Sequence, residues 1–234
     1  MTIHHPLDNP IWHSLTSRHA SFALRLGDVA RYPAPVAPFL GIAHAGADAA
    51  AAFEALVPVA DTVLLLGIAP AVPTGSELKH LAMLAQMVCA QPMQEVDGPS
   101  IIELTQAHRA DILALTALVY PHYFRPRTPE LGRYFGIYEA DQDGTPRLAA
   151  MIGERMGTDE WTEISAVCTH PDFNGRGYAR RLLAFLTNDV LKQGRAPFLH
   201  VSHDNARAKE LYLHNGYALR RDIPFWSLRH RSVA

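Results

Sequence analysis

The densest chemistry in this chain lies in one stretch, EISAVCTHPDFNGRGYARRLL, at residues 163–183. A strand pattern ends at Cys168, a loop carries Gly175 and Gly177, and a helical pattern follows. The first turn of a helix has N–H groups without a helical partner and carries a partial positive charge. Glycine lets a ligand come close to that backbone. Arg176, Arg180 and Arg181 add charge beside it. The combination suits an anion, most naturally a phosphate, and equally suits a plain glycine turn that opens a helix. Two other phosphate motifs do not fit. A P-loop needs Lys then Ser or Thr after its second glycine, where Tyr178 and Ala179 stand. A dinucleotide fingerprint needs Gly or Ala three residues after Gly177, where Arg180 stands. HExxH and GxSxG do not occur, so no metal is expected and serine hydrolysis has no support.

The frame that must position these residues is of ordinary globular composition. The chain has 234 residues, 48% apolar and 19% charged. Its 21 Lys and Arg against 23 Asp and Glu give a net charge of −2, which argues against a general nucleic-acid binder. Two cysteines, Cys89 and Cys168, cannot make a disulfide framework and suit a reducing compartment. The longest apolar run, VLLLGIAPAVP at 63–73, is broken by Gly and Pro and is shorter than a membrane span. MTIHHPLDNP shows no basic-then-apolar leader, so a cytoplasmic protein is expected.

Charge divides the chain. Residues 1–98 hold 4 Lys and Arg against 8 Asp and Glu, whereas 99–234 hold 17 against 15. The turn-forming Asp97-Gly98-Pro99 makes a boundary between a 1–98 accessory α/β domain and a 99–234 domain. In the first part the pattern predicts strands at 38–43 and 61–68 and helices at 47–56 and 77–90. His44 and His80 stand alone there and read as solvated or core histidines. In the second part it predicts strands at 101–104, 133–140, 147–155, 161–168, 198–202, 217–221 and 225–229. Helices are expected at 106–119 behind a Thr105 cap, at 177–192 closed by Gly194, and at 205–214 ended by Gly216. This mixture is α+β.

Two blocks carry a family resemblance. NGRGYA at 174–179 resembles the Q/R-x-x-G-x-G/A pyrophosphate motif of the GNAT superfamily of acyl-CoA-dependent N-acyltransferases. PFLHVSHDNARAKELYLHNGYALR at 197–220 resembles that family's later strand, its N-x-x-A-x-x-L-Y helix and its G-F/Y strand. The likeness covers about residues 100–230, and within the superfamily it resembles the glycine-N-acyltransferase-like branch. The motif's first position departs from the pattern, with Asn174 for Gln or Arg.

The resemblance implies a GNAT-type mixed, mostly antiparallel sheet, splayed between two central parallel strands and flanked by helices, with an N-terminal α/β extension. It implies acetyl-CoA as co-substrate and transfer of an acetyl group to a small amine or amino acid by direct attack. It assigns Val167, Cys168 and Thr169 to the pantetheine arm through main-chain groups, and Asn205 to the same arm. It assigns Asn174, Gly175, Arg176, Gly177, Tyr178, Ala179 and Arg180 to the pyrophosphate. Glu163, 11 residues before Asn174, stands where some members place a base, or is a solvated strand carboxylate. Strand alternation puts Glu163 on the face of Val167. Tyr212, seven residues after Asn205, stands where the family protonates the thiolate, or packs on an amphipathic helix. His200 and His203 are rival acid–base groups, His200 reading also as a hydrogen-bonded core histidine. A covalent route through Cys168 would need a depressed thiol and an adjacent base. Arg125 and Arg127 in the loop at 120–131 suit an acceptor carboxylate, or lie on the surface against Tyr123 and Phe124. A small-molecule amine partner is expected, with no nucleic acid and no membrane, and a homodimer is open. The rivals are a protein or peptide N-acetyltransferase and a non-catalytic acyl-CoA sensor, which would keep Gly175 and Gly177 without needing Glu163 or Tyr212.

Overall fold

The computed structural model describes residues 5–120, 122–141 and 143–231. The chain opens with α1 (Pro10–Leu15), then β1 (Leu24–Leu26), β2 (Val29–Arg31) and β3 (Leu40–Ile42), which form a small antiparallel sheet. Next come α2 (Ala50–Leu56), β4 (Thr62–Leu66), β5 (Ser76–Val88), β6 (Ile102–Leu104) and α3 (Arg109–Val119). The hairpins β7 (Tyr134–Ala140), β8 (Pro146–Gly157) and β9 (Trp161–Thr169) lead into α4 (Tyr178–Lys192). The chain ends with β10 (Ala196–Ser202), α5 (Ala206–His214) and β11 (Ala218–His230). The main sheet has eight strands in the order β4-β11-β5-β10-β9-β8-β7-β6. The fold is α+β, with a mostly antiparallel sheet, as expected.

Within this sheet β9 and β10 are the parallel pair, and they pair only where Ala196–Phe198 faces Trp161–Glu163. Beyond these residues the strands diverge, and their facing N–H and C=O groups no longer meet. Helix α4 makes the crossover between them, which a parallel pair requires. It packs Leu182, Leu183, Leu186 and Val190 against Ile152 and Ile164 on one face of the sheet. Helix α3 packs Ile112 and Leu115 against Met151 and Cys168 on the other.

A bulge reshapes β9 beside the gap. Met151 faces Cys168 and Gly153 faces Ser165, so Ala166 and Val167 together oppose Ile152. Ala166 takes a left-handed φ of 51°, alone among the described non-glycine residues. The bulge reverses the expected alternation. Ile164 and Val167 both pack on the α4 side, while Ala166 and Cys168 pack on the α3 side. Glu163 therefore does not share a face with Val167.

Three further expectations change. The helix expected at 77–90 is replaced by β5, which ends at Val88 and is a central strand paired with β10 on one side and β11 on the other. Its Leu, Lys, Ala, Met and Gln favour helix, and two flanking ladders override that preference. The strands expected at 217–221 and 225–229 are one strand, β11, with register shifts at Leu219/Arg221 and Phe225/Trp226. The boundary at 97–99 falls between β5 and β6, yet β4 and β5 lie in the same sheet as β6–β11. The small sheet is tied on as well, through a parallel bridge between Phe39 and Leu64.

The left-handed bulge has a measurable signature. Ala166→Val should cost about 2 kcal/mol, because a β-branched residue resists positive φ, and should lower Tm by roughly 4–8 °C. Ala166→Gly should leave Tm unchanged or raise it. Equal melting of the wild type and the valine variant would contradict the bulge.

Candidate active site

The loop before α4 is built by two left-handed glycines, Gly175 at φ 79° and Gly177 at φ 78°. A Cβ at either would meet nothing within 4 Å, so the glycines serve backbone geometry and face open space. The amides of residues 175–180 donate to no carbonyl or side chain among the described residues; the first helical bond is Arg181 N to Gly177 O, 3.0 Å. Six unpartnered donors at the positive end of a fifteen-residue helix make an anion cradle. Arg176 lies over the Phe173 ring at 4.9 Å, and Arg180 Nε donates to Asn215 Oδ1 at 3.1 Å, both at the cradle's rim. Arg181 is used otherwise. It donates to the carbonyls of Pro99 and Val96 and so ties α4 to the segment after β5.

Two cavities meet in the gap between β9 and β10. The first, about 830 Å³, runs from the 174–180 loop past Thr169 to the start of α5. The second, about 460 Å³, lies on the other side and reaches Cys168, His200 and Arg155. Both touch Val119, Val167, Asn205, Ala208 and Tyr212. Asn205 caps α5, its Oδ1 accepting from Ala208 N at 3.1 Å. Tyr212 is only 7% exposed and stands at the junction of the cavities. Burial, with Cys168 and Tyr120 nearby, pushes its phenol well above the usual range, so it holds its proton at neutral pH. Its hydroxyl bonds to no other described residue.

The geometry does not leave Glu163 as a free base. It is fully buried and lines neither cavity. Arg155 grips it with Nε at 2.8 Å from Oε2 and Nη2 at 2.7 Å from Oε1. Burial alone would raise its carboxyl, but the Arg155 charge and hydrogen bonds, with His200, outweigh it and hold the group at about 2. His200 is committed too. Gln86 Nε2 donates to Leu7 O at 2.8 Å and to His200 Nε2 at 3.0 Å, while Gln86 Oε1 accepts from Arg220. His200 Nε2 is thus an acceptor, and Nδ1 carries the proton to Glu163 Oε1 at 2.7 Å. His203 pairs with Asp222 at 2.8 Å and stands outside both cavities. Burial pushes the Cys168 thiol up to about 12, which removes it as a nucleophile.

Arg125 and Arg127 are exposed and line neither cavity. Arg127 is held by Glu130, Nη2 to Oε2 at 2.6 Å. The cation of the second cavity is Arg155, which no sequence motif marked; the adjacent charges of Glu154 and Arg155 within the apolar strand LAAMIGERM were the signal. The N-terminal part, which could complete the acceptor groove or make a dimer, contributes Phe39, Leu66, Leu81 and Leu84 to the lining of the second cavity, residues that no motif singled out.

A family model described as FR47-like protein matches residues 134–226. A solved structure from Novosphingobium aromaticivorans, assigned to the GNAT family of acetyltransferases, is 33% identical. The match covers 98% of this chain and 100% of that one, at a TM-score of 0.87. This chain belongs to the GNAT family. GNAT chemistry is acyl transfer, and GNAT acetyltransferases use acetyl-CoA as co-substrate. Two more distant GNAT structures share the fold. A GCN5-related N-acetyltransferase from Kribbella flavida is 16% identical over 92% of this chain and 91% of its own, at a TM-score of 0.57. A GCN5-related N-acetyltransferase-like protein from Streptococcus suis is 13% identical over 92% of each chain, at 0.54. No curated protein matches the chain. Among the described residues of this GNAT chain, no helix is long and apolar enough to cross a membrane.

The Glu163 ion pair sets a pH dependence. The folded carboxyl at about 2 lies below its unfolded value of about 4.3, so its stabilisation is present above that value. It is lost as pH falls toward 2. Glu163→Gln should flatten stability across this window and cost about 3–5 kcal/mol at neutral pH, because Arg155 is left buried without its partner. Urea unfolding of both proteins between pH 7 and pH 2.5 checks this; parallel curves would contradict it.

Proposed function

We propose that this chain is an N-acetyltransferase that moves an acetyl group from acetyl-CoA to the primary amine of a small molecule or amino acid by direct attack. One observation carries the reading: a cavity that ends on six open amides meets a second, mainly apolar cavity at one protonated tyrosine. The residues present fit the coenzyme. The 174–180 loop offers donors and two arginines to a diphosphate, and the unpaired edge of β9 beyond Glu163 offers main-chain groups to an extended arm. Val167, Cys168, Thr169 and Asn205 flank that path.

Acetyl-CoA supplies the thioester carbonyl; the protein supplies placement and a proton. The second cavity holds the amine beside the junction and strips it of water, which favours the neutral, attacking form. As the C–N bond forms and the C–S bond breaks, Tyr212 gives its proton to the departing sulfur and regains one from solvent. The surplus proton of the attacking nitrogen leaves through water, because Glu163 and His200 are both engaged. Residues 1–98 act as the accessory part that closes the acceptor side, supported by Phe39, Leu66, Leu81 and Leu84 in its wall. Likeness to the glycine-N-acyltransferase-like branch supports a small acceptor. Cys89 and Cys168, both buried and unpaired, support a reducing cytoplasm.

Acetyl-CoA at a hundred times its Kd should stabilise the protein by about 2.7 kcal/mol, seen as a rise in Tm. Gly177→Val should abolish most of that rise, since valine resists the left-handed φ. No rise with the wild type would defeat the proposal. Tyr212→Phe should lower kcat by about 10²–10⁴-fold while the Kd for acetyl-CoA stays within about twofold, measured by thiol release and calorimetry. Unchanged turnover would remove the proton-donor role, and coenzyme binding with no thiol release from any amine would favour the sensor.

A further inference from the structure

Building on acetyl transfer, we propose that the acceptor is an amine bearing a carboxylate on an aromatic or branched apolar body, and that Arg155 Nη1 binds that carboxylate. The acceptor cavity, at about 460 Å³, is walled by Phe39, Leu66, Leu84, Tyr123 and Phe225. Glycine would leave most of that apolar space empty. The described lining includes no Asp or Glu, so a cationic body has no partner there.

Arg155 is the guanidinium in this lining. Its Nε and Nη2 are both taken by Glu163, while Nη1 bonds to no other described residue. The described residues hold three sealed polar atoms without a partner, Ser76 Oγ, Arg195 Nε and Trp226 Nε1. Arg155 Nη1 is not one of them, so it reaches open space. The group cannot swing away. It lies over the Phe39 ring at 5.0 Å, and its Glu163 anchor is fixed by His200 Nδ1 at 2.7 Å and Met156 N at 3.3 Å. A rigid donor costs less to order on binding than a mobile one. One guanidinium serves two carboxylates elsewhere in this protein: Arg133 Nη2 lies 2.6 Å from Glu154 and 2.7 Å from Asp189. Because Arg155 and Glu163 together are neutral, the second carboxylate is held by a directed, charge-assisted hydrogen bond and not by a general positive field.

The test compares L-phenylalanine, L-phenylalaninamide and glycine as acceptors at saturating acetyl-CoA. The acid should exceed the amide in kcat/KM by about 30-fold, the size expected for one lost charged hydrogen bond, and should exceed glycine by about 10–100-fold, the size expected for a side chain missing from the apolar wall. Calorimetry on protein saturated with coenzyme A should show phenylalanine binding and the amide binding at least tenfold more weakly. Arg155→Met alone strands Glu163 and is apt to misfold, so the variant is Arg155→Met with Glu163→Gln, which should bring the acid-to-amide ratio close to one. The assignment is overturned if the amide or glycine matches phenylalanine in the wild type, or if the double variant keeps the preference. It is also overturned if phenylalanine is neither bound nor acetylated by protein whose Tm rises with acetyl-CoA. Absence of that rise instead overturns the underlying acetyl-transfer reading.

Discussion

Three residue pairs hold β9 and β10 together, and the two cavities meet beyond the point where that pairing stops. A sheet interior does not usually leave facing backbone groups unpaired, because each buried donor or acceptor without a partner is costly. The gap persists because each strand is fixed from its other side. Strand β9 is laddered to β8 and packed between α3 and α4, while β10 is laddered to β5. The bulge at Ala166 adds a residue to β9 and turns its main chain where the strand leaves its partner. The crossover helix then brings its positive end to one mouth of the opening. Binding geometry and sheet topology are thus one feature.

The N-terminal region closes the other mouth, and a line of polar contacts runs from it into the centre. Asp8 pairs with Arg220, Arg220 with Gln86, Gln86 with His200, His200 with Glu163 and Glu163 with Arg155. Gln86 also bonds the Leu7 carbonyl. Each contact in this line joins a donor to an acceptor, and buried polar networks of that kind help to specify a structure. The carboxylate and imidazole that the family resemblance offered as acid–base groups act here as framework. They fix the Arg155 cation at the wall of the second cavity, and they leave Tyr212 as the protonated group at the junction.

What the sequence revealed and what it hid follow from the range of the interactions. Gly175 and Gly177 were legible because positive φ and an open helix start are local demands that glycine alone meets cheaply. The Thr105 cap was legible for the same reason, and it forms, with His108 returning the bond. Strand β5 was hidden because its partners, β10 and β11, lie more than a hundred residues away, while its own residues suit a helix. The bulge was hidden because no glycine marks it. Arg155 and Glu163 stand eight residues apart on neighbouring strands, and they meet at a second register shift, between Glu154 and Gly157, that no local pattern announces. A site residue whose role is set by such distant partners leaves little trace in its own neighbourhood.

The placement of β5 between β10 and β11 also governs how the molecule comes into being. Its neighbours leave the ribosome more than a hundred residues after it, so an early-made strand must wait, its edges bare, until they emerge. The cost of closing so long a loop falls late, and the second cavity is finished only when β11 docks and brings Phe225 to its wall. Nascent chains cut short before that strand lack an interior strand, the one that joins β4 to β5.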